Sequence, residues 1–126
     1  MDGVRLIRPS ERTGSQLTEG MLREEAVAIA GLWAGVLRTA PGMVSGWHHH
    51  GEHESVIFVA DGALRMEFGP GGLDVLEASP GDFLHVGKGA IHRESNPTER
   101  EATAIVVRAG RGEVVVNVDG PEEPGR

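Results

Sequence analysis

Turn signals interrupt this chain roughly every 8–12 residues from Gly31 onward, a rhythm that leaves room for short strands and little else. Ala40-Pro41-Gly42, Asp61-Gly62, Gly69-Pro70-Gly71-Gly72, Ser79-Pro80-Gly81-Asp82 and Gly87-Lys88-Gly89 are all turn sequences. Glycine supplies 19 of the 126 residues, well above its ordinary share. Between the turns lie short apolar or alternating runs. They predict strands over Leu32–Thr39, Val44–His50, Ser55–Val59, Ala63–Phe68, Leu73–Glu77, Phe83–Val86, Ala90–Glu94, Ala102–Arg108 and 113–118, with a further short one over Val4–Ile7. Residues 9–20 read as loop. Met21–Ile29 is the one stretch where a helix competes with a strand, and it lacks a clear apolar stripe. The expected fold is all-β, a single barrel or jelly roll of about ten short strands with little or no helix.

Composition closes off several functions. There is no cysteine, so disulfides, thiolate metal sites and cysteine nucleophiles are excluded. A formal net charge of −7 argues against binding a nucleic-acid backbone through a basic patch. No apolar run approaches the length of a membrane span, and the first residues hold no signal-type apolar core, so a cytoplasmic protein with no membrane partner is expected. Gly69-Pro70-Gly71-Gly72 is not a phosphate loop, since no Lys-Ser/Thr follows it.

All six histidines fall between His48 and His92, four of them within the six residues 48–53. Alternate residues of a strand share a face, so His48 and His50 point together and His49 points away. Two imidazoles one strand period apart can hold one metal ion. Glu54 lies just past the Gly51 corner and can reach the same ion if the chain reverses there, or pair with a nearby arginine. His92 follows the turn Gly87-Lys88-Gly89, which can aim it into a barrel. Three imidazoles and a carboxylate leave coordination positions open for water or substrate, and suit Fe, Mn, Ni, Cu or Zn as one divalent ion per chain.

These spacings resemble the two motifs of the cupin family. The first runs Gly42, five residues, His48, one residue, His50, three residues, Glu54, seven residues, Gly62; the second runs Gly81, five residues, Gly87, one residue, Gly89, two residues, His92, three residues, Asn96. The first motif's last spacing is one longer than the commonest form, and Gly87 stands where the second motif usually has proline, which loosens the turn before His92. The resemblance covers about residues 30–108. It implies a cupin jelly roll with the metal held inside by His48, His50, Glu54 and His92. The domain plan is then an N-terminal segment (1–29) able to pack on a neighbouring subunit, a β-barrel (30–118) and a flexible tail (119–126). A homodimer is expected, because small cupins usually pair sheet to sheet.

Around this centre, Glu54 and His53 are the candidate acid/base groups, His53 otherwise being a solvated loop residue. Phe58, Met66, Trp33 and His85 are candidate walls of a substrate pocket, with ordinary core packing the alternative. Arg93, beside His92, either grips an anionic substrate or forms a solvated ion pair. The reading favoured is a metal-dependent enzyme on a small molecule, of dioxygenase, lyase or isomerase type. The absence of tyrosine disfavours epimerase chemistry built on a His–Tyr pair. The alternatives are a binding or sensing module without turnover, or a metal that only stabilises the barrel. Fold alone does not choose among them.

Overall fold

Two antiparallel sheets, laid face to face, make up the computed structural model, which describes residues 3–18, 20–112 and 115–124 and, among these, all side chains but those of 16–18. The strands are β1 (Thr13–Thr18), β2 (Met21–Ile29), β3 (Leu32–Thr39), β4 (His48–His49), β5 (Glu54–Asp61), β6 (Leu64–Phe68), β7 (Asp74–Ala78), β8 (Phe83–Val86), β9 (His92–Ser95), β10 (Ala102–Ala109) and β11 (Val116–Asn117). Six form one sheet in the order β1-β2-β3-β10-β5-β8, and five form the other in the order β11-β4-β9-β6-β7. The one helical element among the described residues is a single 3-10 turn over Pro9–Glu11.

Alternation builds the interior. Strand β10 buries Ala102, Ala104, Val106 and Arg108 while turning Ile105 and Val107 outward, and β5 buries Ser55, Ile57 and Val59. Across the gap, Leu64, Met66 and Ala78 close the core. Alternation of this kind fixes register, because a slip of one residue would exchange the two faces. The turn at Gly62 takes φ +78°, and a Cβ there would lie 2.8 Å from the Ala102 Cα, so both backbone and space demand glycine.

The N-terminal third differs from expectation. Residues 4–7 form no strand, and the expected loop over 9–20 contains β1. Met21–Ile29 is a strand, paired with β3 in register from Met21↔Thr39 to Ile29↔Leu32, with a bulge at Ala26 between Glu25 and Val27. Strands β1 and β2 thus extend the chain's own six-stranded sheet. Val44–His50 shrinks to β4, although Val44 still bridges Ser95. Of the expected last strand, residues 113 and 114 lie outside those described, and β11 pairs with β4. Part of the expected tail is pinned, since Gly71 N–H donates to the Glu122 carbonyl at 2.8 Å; residues 125 and 126 lie outside those described. Among the described residues, no helix is long and apolar enough to cross a membrane.

Candidate metal centre

Strand pairing brings three histidines together. His48 of β4 sits directly opposite His92 of β9, and His50 follows on the same inward face. Their ring centroids are 4.4 Å (His48–His92), 5.1 Å (His48–His50) and 5.0 Å (His50–His92) apart. The fourth member is Glu94, two residues after His92 and therefore on the same face of β9. His48, His50, His92 and Glu94 are all buried, and each offers a ligand atom within 4.8 Å of the others.

Hydrogen bonds set the chemistry of these rings. His48 Nδ1–H donates to the Gly46 carbonyl at 3.0 Å, and His92 Nδ1–H donates to the Ala90 carbonyl at 2.9 Å. Both rings therefore direct Nε2 toward the centre. Glu94 Oε1 lies 3.0 Å from His92 Nε2 and 3.6 Å from His48 Nε2. Its own backbone is held on both sides, by Glu94 N–H to Ser45 Oγ and by Ser45 N–H to the Glu94 carbonyl. Burial resists the charge on Glu94, but the two imidazoles outweigh it and hold the carboxyl well below the usual range. Burial likewise opposes protonation of His92, yet the bond and charge of Glu94, with the Ala90 carbonyl, raise its pKa above 6.5.

The residues present fit a metal. His48 Nε2 and Glu94 Oε2 are buried without hydrogen-bond partners, a costly state that a cation between them relieves. Three imidazole nitrogens and one carboxylate oxygen form a donor set for a divalent transition ion.

Glu54 stands elsewhere. On β5 the inward residues are Ser55, Ile57 and Val59, so Glu54 shares the outward face with Val56 and Phe58. There it accepts hydrogen bonds from His85 Nε2 at 2.7 Å and Lys88 N–H at 3.2 Å, and both contacts lower its pKa. The carboxylate of the cluster is Glu94, not Glu54. The tight corner itself is present: Gly51 adopts φ +58°, and the Gly51 carbonyl accepts from Gly89 N–H at 2.8 Å. That bond, with Ala90 N–H to the Gly87 carbonyl, holds the turn before His92 without a proline.

The remaining candidates divide. His53 is buried, not solvated, and its Nδ1–H donates to the His50 carbonyl at 3.0 Å, bracing a cluster residue's backbone. His49 points away, and its Nδ1 accepts from Gly51 N–H. Met66 and His85 line a cavity of about 220 Å³ together with Phe68, Leu76, Leu84 and Val86, and His92 forms part of its wall. Phe58 does not line it; the outward face of β5 sets its ring against Phe83 at 4.9 Å. Trp33 does not line it either. It bonds Glu25 through Nε1 and lies beneath the Arg108 guanidinium, 5.3 Å from the ring centroid. Arg93 forms an ion pair with Glu67 at 2.8 Å and stacks on Trp47.

The sequence reading missed Glu94, Arg23 and Arg108 as interior groups. Strand parity carries the signal for each: Glu94 is in phase with His92, Arg108 with Ala102, Ala104 and Val106, and Arg23 with Met21.

Comparison with known proteins agrees with this fold. Residues 35–108 match the family model described as a cupin domain. No curated protein matches the sequence. Among solved structures, KdgF from Halomonas sp. superposes with a TM-score of 0.73 at 20% identity, covering 87% of this chain and 96% of that one. The polyketide cyclase RemF from Streptomyces resistomycificus gives 0.78 at 16%, covering 97% and 90%. The Cnp3 cupin domain of Schizosaccharomyces pombe gives 0.67 at 10%, covering 79% and 69%. At these identities the likeness is one of fold.

Proposed function

This chain belongs to the cupin family, and from that premise we propose that it is a metal-dependent enzyme acting on a small molecule, of dioxygenase, lyase or isomerase type. The observation that carries the reading is the convergence of His48, His50, His92 and Glu94 beside a largely apolar cavity that His92 helps to line. An ion held only to stabilise the barrel needs no such cavity. A divalent ion in this centre supplies Lewis-acid chemistry or, if redox-active, electron transfer. The chain's own part is to orient and to dry. The Gly46 and Ala90 carbonyls fix two imidazoles, while Met66, Phe68, Leu76, Leu84 and Val86 exclude water from a bound molecule. Glu94, buried beside the three imidazoles, is the carboxylate available to such an ion, the ligand position expected of Glu54. The likeness to a polyketide cyclase is one of fold, and fold alone does not fix turnover, so a binding module is the competing reading.

Elemental analysis of chelator-free wild type and of His92→Ala tests the centre. Stoichiometric metal in the wild type, lost in the variant, is expected. Protein that holds no metal and takes none up on soaking refutes the proposal. Metal that supports oxygen uptake or conversion of a small molecule favours the enzyme over the binding module.

A further inference from the structure

The cavity beside the metal centre opens at the seam between the two sheets. Strand β8 is the last strand of the six-stranded sheet, and β7 is the last of the five-stranded one. Leu84 and Val86 reach the cavity from the buried face of β8, and Leu76 reaches it from β7. His85 lines it too, although it stands on the opposite face of β8. A strand shows both faces to one cavity only where the cavity runs out past its edge. His85 therefore stands at the rim, with its side chain 66% exposed.

Of the side chains that line the cavity, His85 and His92 are the two that titrate. His92 is committed to the cluster, since Nδ1–H donates to the Ala90 carbonyl and Nε2 faces Glu94. His85 is placed differently. Its Nε2–H donates to Glu54 Oε1 at 2.7 Å, and among the described residues nothing bonds its Nδ1. An ionised carboxylate only accepts, so it fixes the tautomer of the ring: the proton sits on Nε2 and the lone pair on Nδ1. Glu54 is itself held. Its Oε2 accepts from Lys88 N–H at 3.2 Å, and the bonds from His85 and Lys88 lower its pKa, which keeps it charged at neutrality. Lys88 lies in the turn from Gly87 to Ala90, both of which line the cavity. One carboxylate thus ties the imidazole to the wall of the cavity. An exposed ion pair contributes little to stability. A carboxylate behind an imidazole that keeps one nitrogen free is the arrangement of a base.

We propose that His85 is the acid/base residue of the pocket, that Glu54 positions its ring, and that the molecule taken up is a carbon acid with a C–H beside a carbonyl. This rests on the reading of the cavity as a substrate site, and it narrows the chemistry to isomerase or lyase type. His85 Nδ1 takes the proton, and the C–H electron pair moves into the carbonyl to give an enolate. The imidazolium so formed faces the Glu54 carboxylate, which offsets its charge. The proton then returns to a second carbon in an isomerase, or to the leaving group in a lyase, so no oxidant or reductant is consumed. Leu76, Leu84 and Val86 receive the apolar part of the molecule.

The probe 5-nitrobenzisoxazole tests the base directly. A base removes its ring C–H proton, the C–H electron pair becomes the third bond of a nitrile, and the N–O bond breaks to release a coloured phenolate. Turnover is followed near neutral pH in zinc-loaded and in chelator-treated protein. Saturable turnover is expected in both. His85→Gln and His85→Ala lower kcat about tenfold or more with KM little changed, and imidazole added to the solution restores turnover to His85→Ala. Glu54→Gln lowers kcat roughly threefold or more, again without a change in KM or melting temperature. An unchanged kcat in that variant leaves Glu54 a surface pair and overturns its positioning role. Turnover that zinc abolishes assigns the base to His92 and overturns the proposal. Turnover that persists unaided in His85→Ala, or none in the wild type, overturns it too, and leaves the metal centre standing wherever stoichiometric metal is bound. Turnover that depends on His85 in protein that takes up no metal upholds the base and refutes the centre.

Discussion

Replacing Glu94 with glutamine keeps its shape and removes its charge, and the surroundings set the size of the effect. The side chain is 2% exposed, faces His48 and His92, and acts on Arg23 and Arg108. Removing one partner from a buried charged group costs about 3–5 kcal/mol, because the other charges are left uncompensated. Here the imidazoles escape part of that cost, since His92 owes its raised pKa to Glu94 and sheds its proton once the carboxylate is gone. What the variant loses is the buried charge-assisted bond to His92, so the loss falls at about 3 kcal/mol. For a chain of 126 residues this lowers the melting temperature of chelator-treated protein by roughly 10 °C. The same variant loses a ligand, so its metal content falls well below one ion per chain. Circular-dichroism melts at pH 7, paired with elemental analysis, read both effects. A variant that keeps full metal occupancy and melts within 2–3 °C of the wild type, roughly the scale of 1 kcal/mol or less, would refute Glu94 both as ligand and as the interior counter-charge.

Further outcomes follow from the same geometry. Glu54→Gln leaves the metal content unchanged, because its carboxylate bonds His85 and Lys88 on the outer surface; loss of metal in this variant would return Glu54 to the centre. Chelator-treated protein is most stable between about pH 4.5 and 6.5. Glu94, with its pKa depressed below 4.5, contributes stability present above that value and lost as acid titrates it. His92, with its pKa raised above 6.5, contributes stability that is full below that value and lost as pH rises through the folded pKa. Denaturant midpoints across pH 4–8, flat in this window and falling on both sides, are expected. The outer face of the six-stranded sheet aligns Ile105, Phe58 and Phe83 across β10, β5 and β8, with Phe83 69% exposed. An apolar patch of this kind suits a second copy of the chain, so sedimentation should show a dimer that Phe83→Lys converts to monomer.

Strands bounded by emphatic turns are legible in the sequence because two signals agree there. Leu32–Thr39 and Phe83–Val86 occupy their expected limits, each with alternation inside and glycine or proline nearby. The first thirty residues give no such agreement. Thr13–Thr18 is polar and holds a glycine, so its own composition argues for loop, and pairing with β2 decides otherwise. Strand β2 draws its order from β3 on one side and β1 on the other. That is tertiary context overriding weak local preference.

The candidate centre shows a sharper version of the same lesson, since its histidines and its carboxylate depend on different evidence. His48 and His92 are placed by parity within strands that do form, and His50 continues that parity one residue past the end of β4, so spacing suffices. Glu54 depends on how the chain leaves the Gly51 corner, and a single residue of phase decides whether Glu54 or Ser55 faces inward. The pairing of Ser55 with Val86, itself an inward residue, fixes the phase, and a partner strand more than thirty residues away is not visible in a local motif. Ser55 Oγ is accordingly buried with no partner at the inward position, while Glu54 takes up His85 outside. An interior carboxylate was still required to balance the imidazoles and guanidiniums. Glu94 meets that need because its distance from His92 is the same two-residue step that relates His48 to His50. A search for acidic residues in phase with each histidine brings Glu94 in beside Glu52 and Glu54, and the pairing of β5 with β8 then removes Glu54.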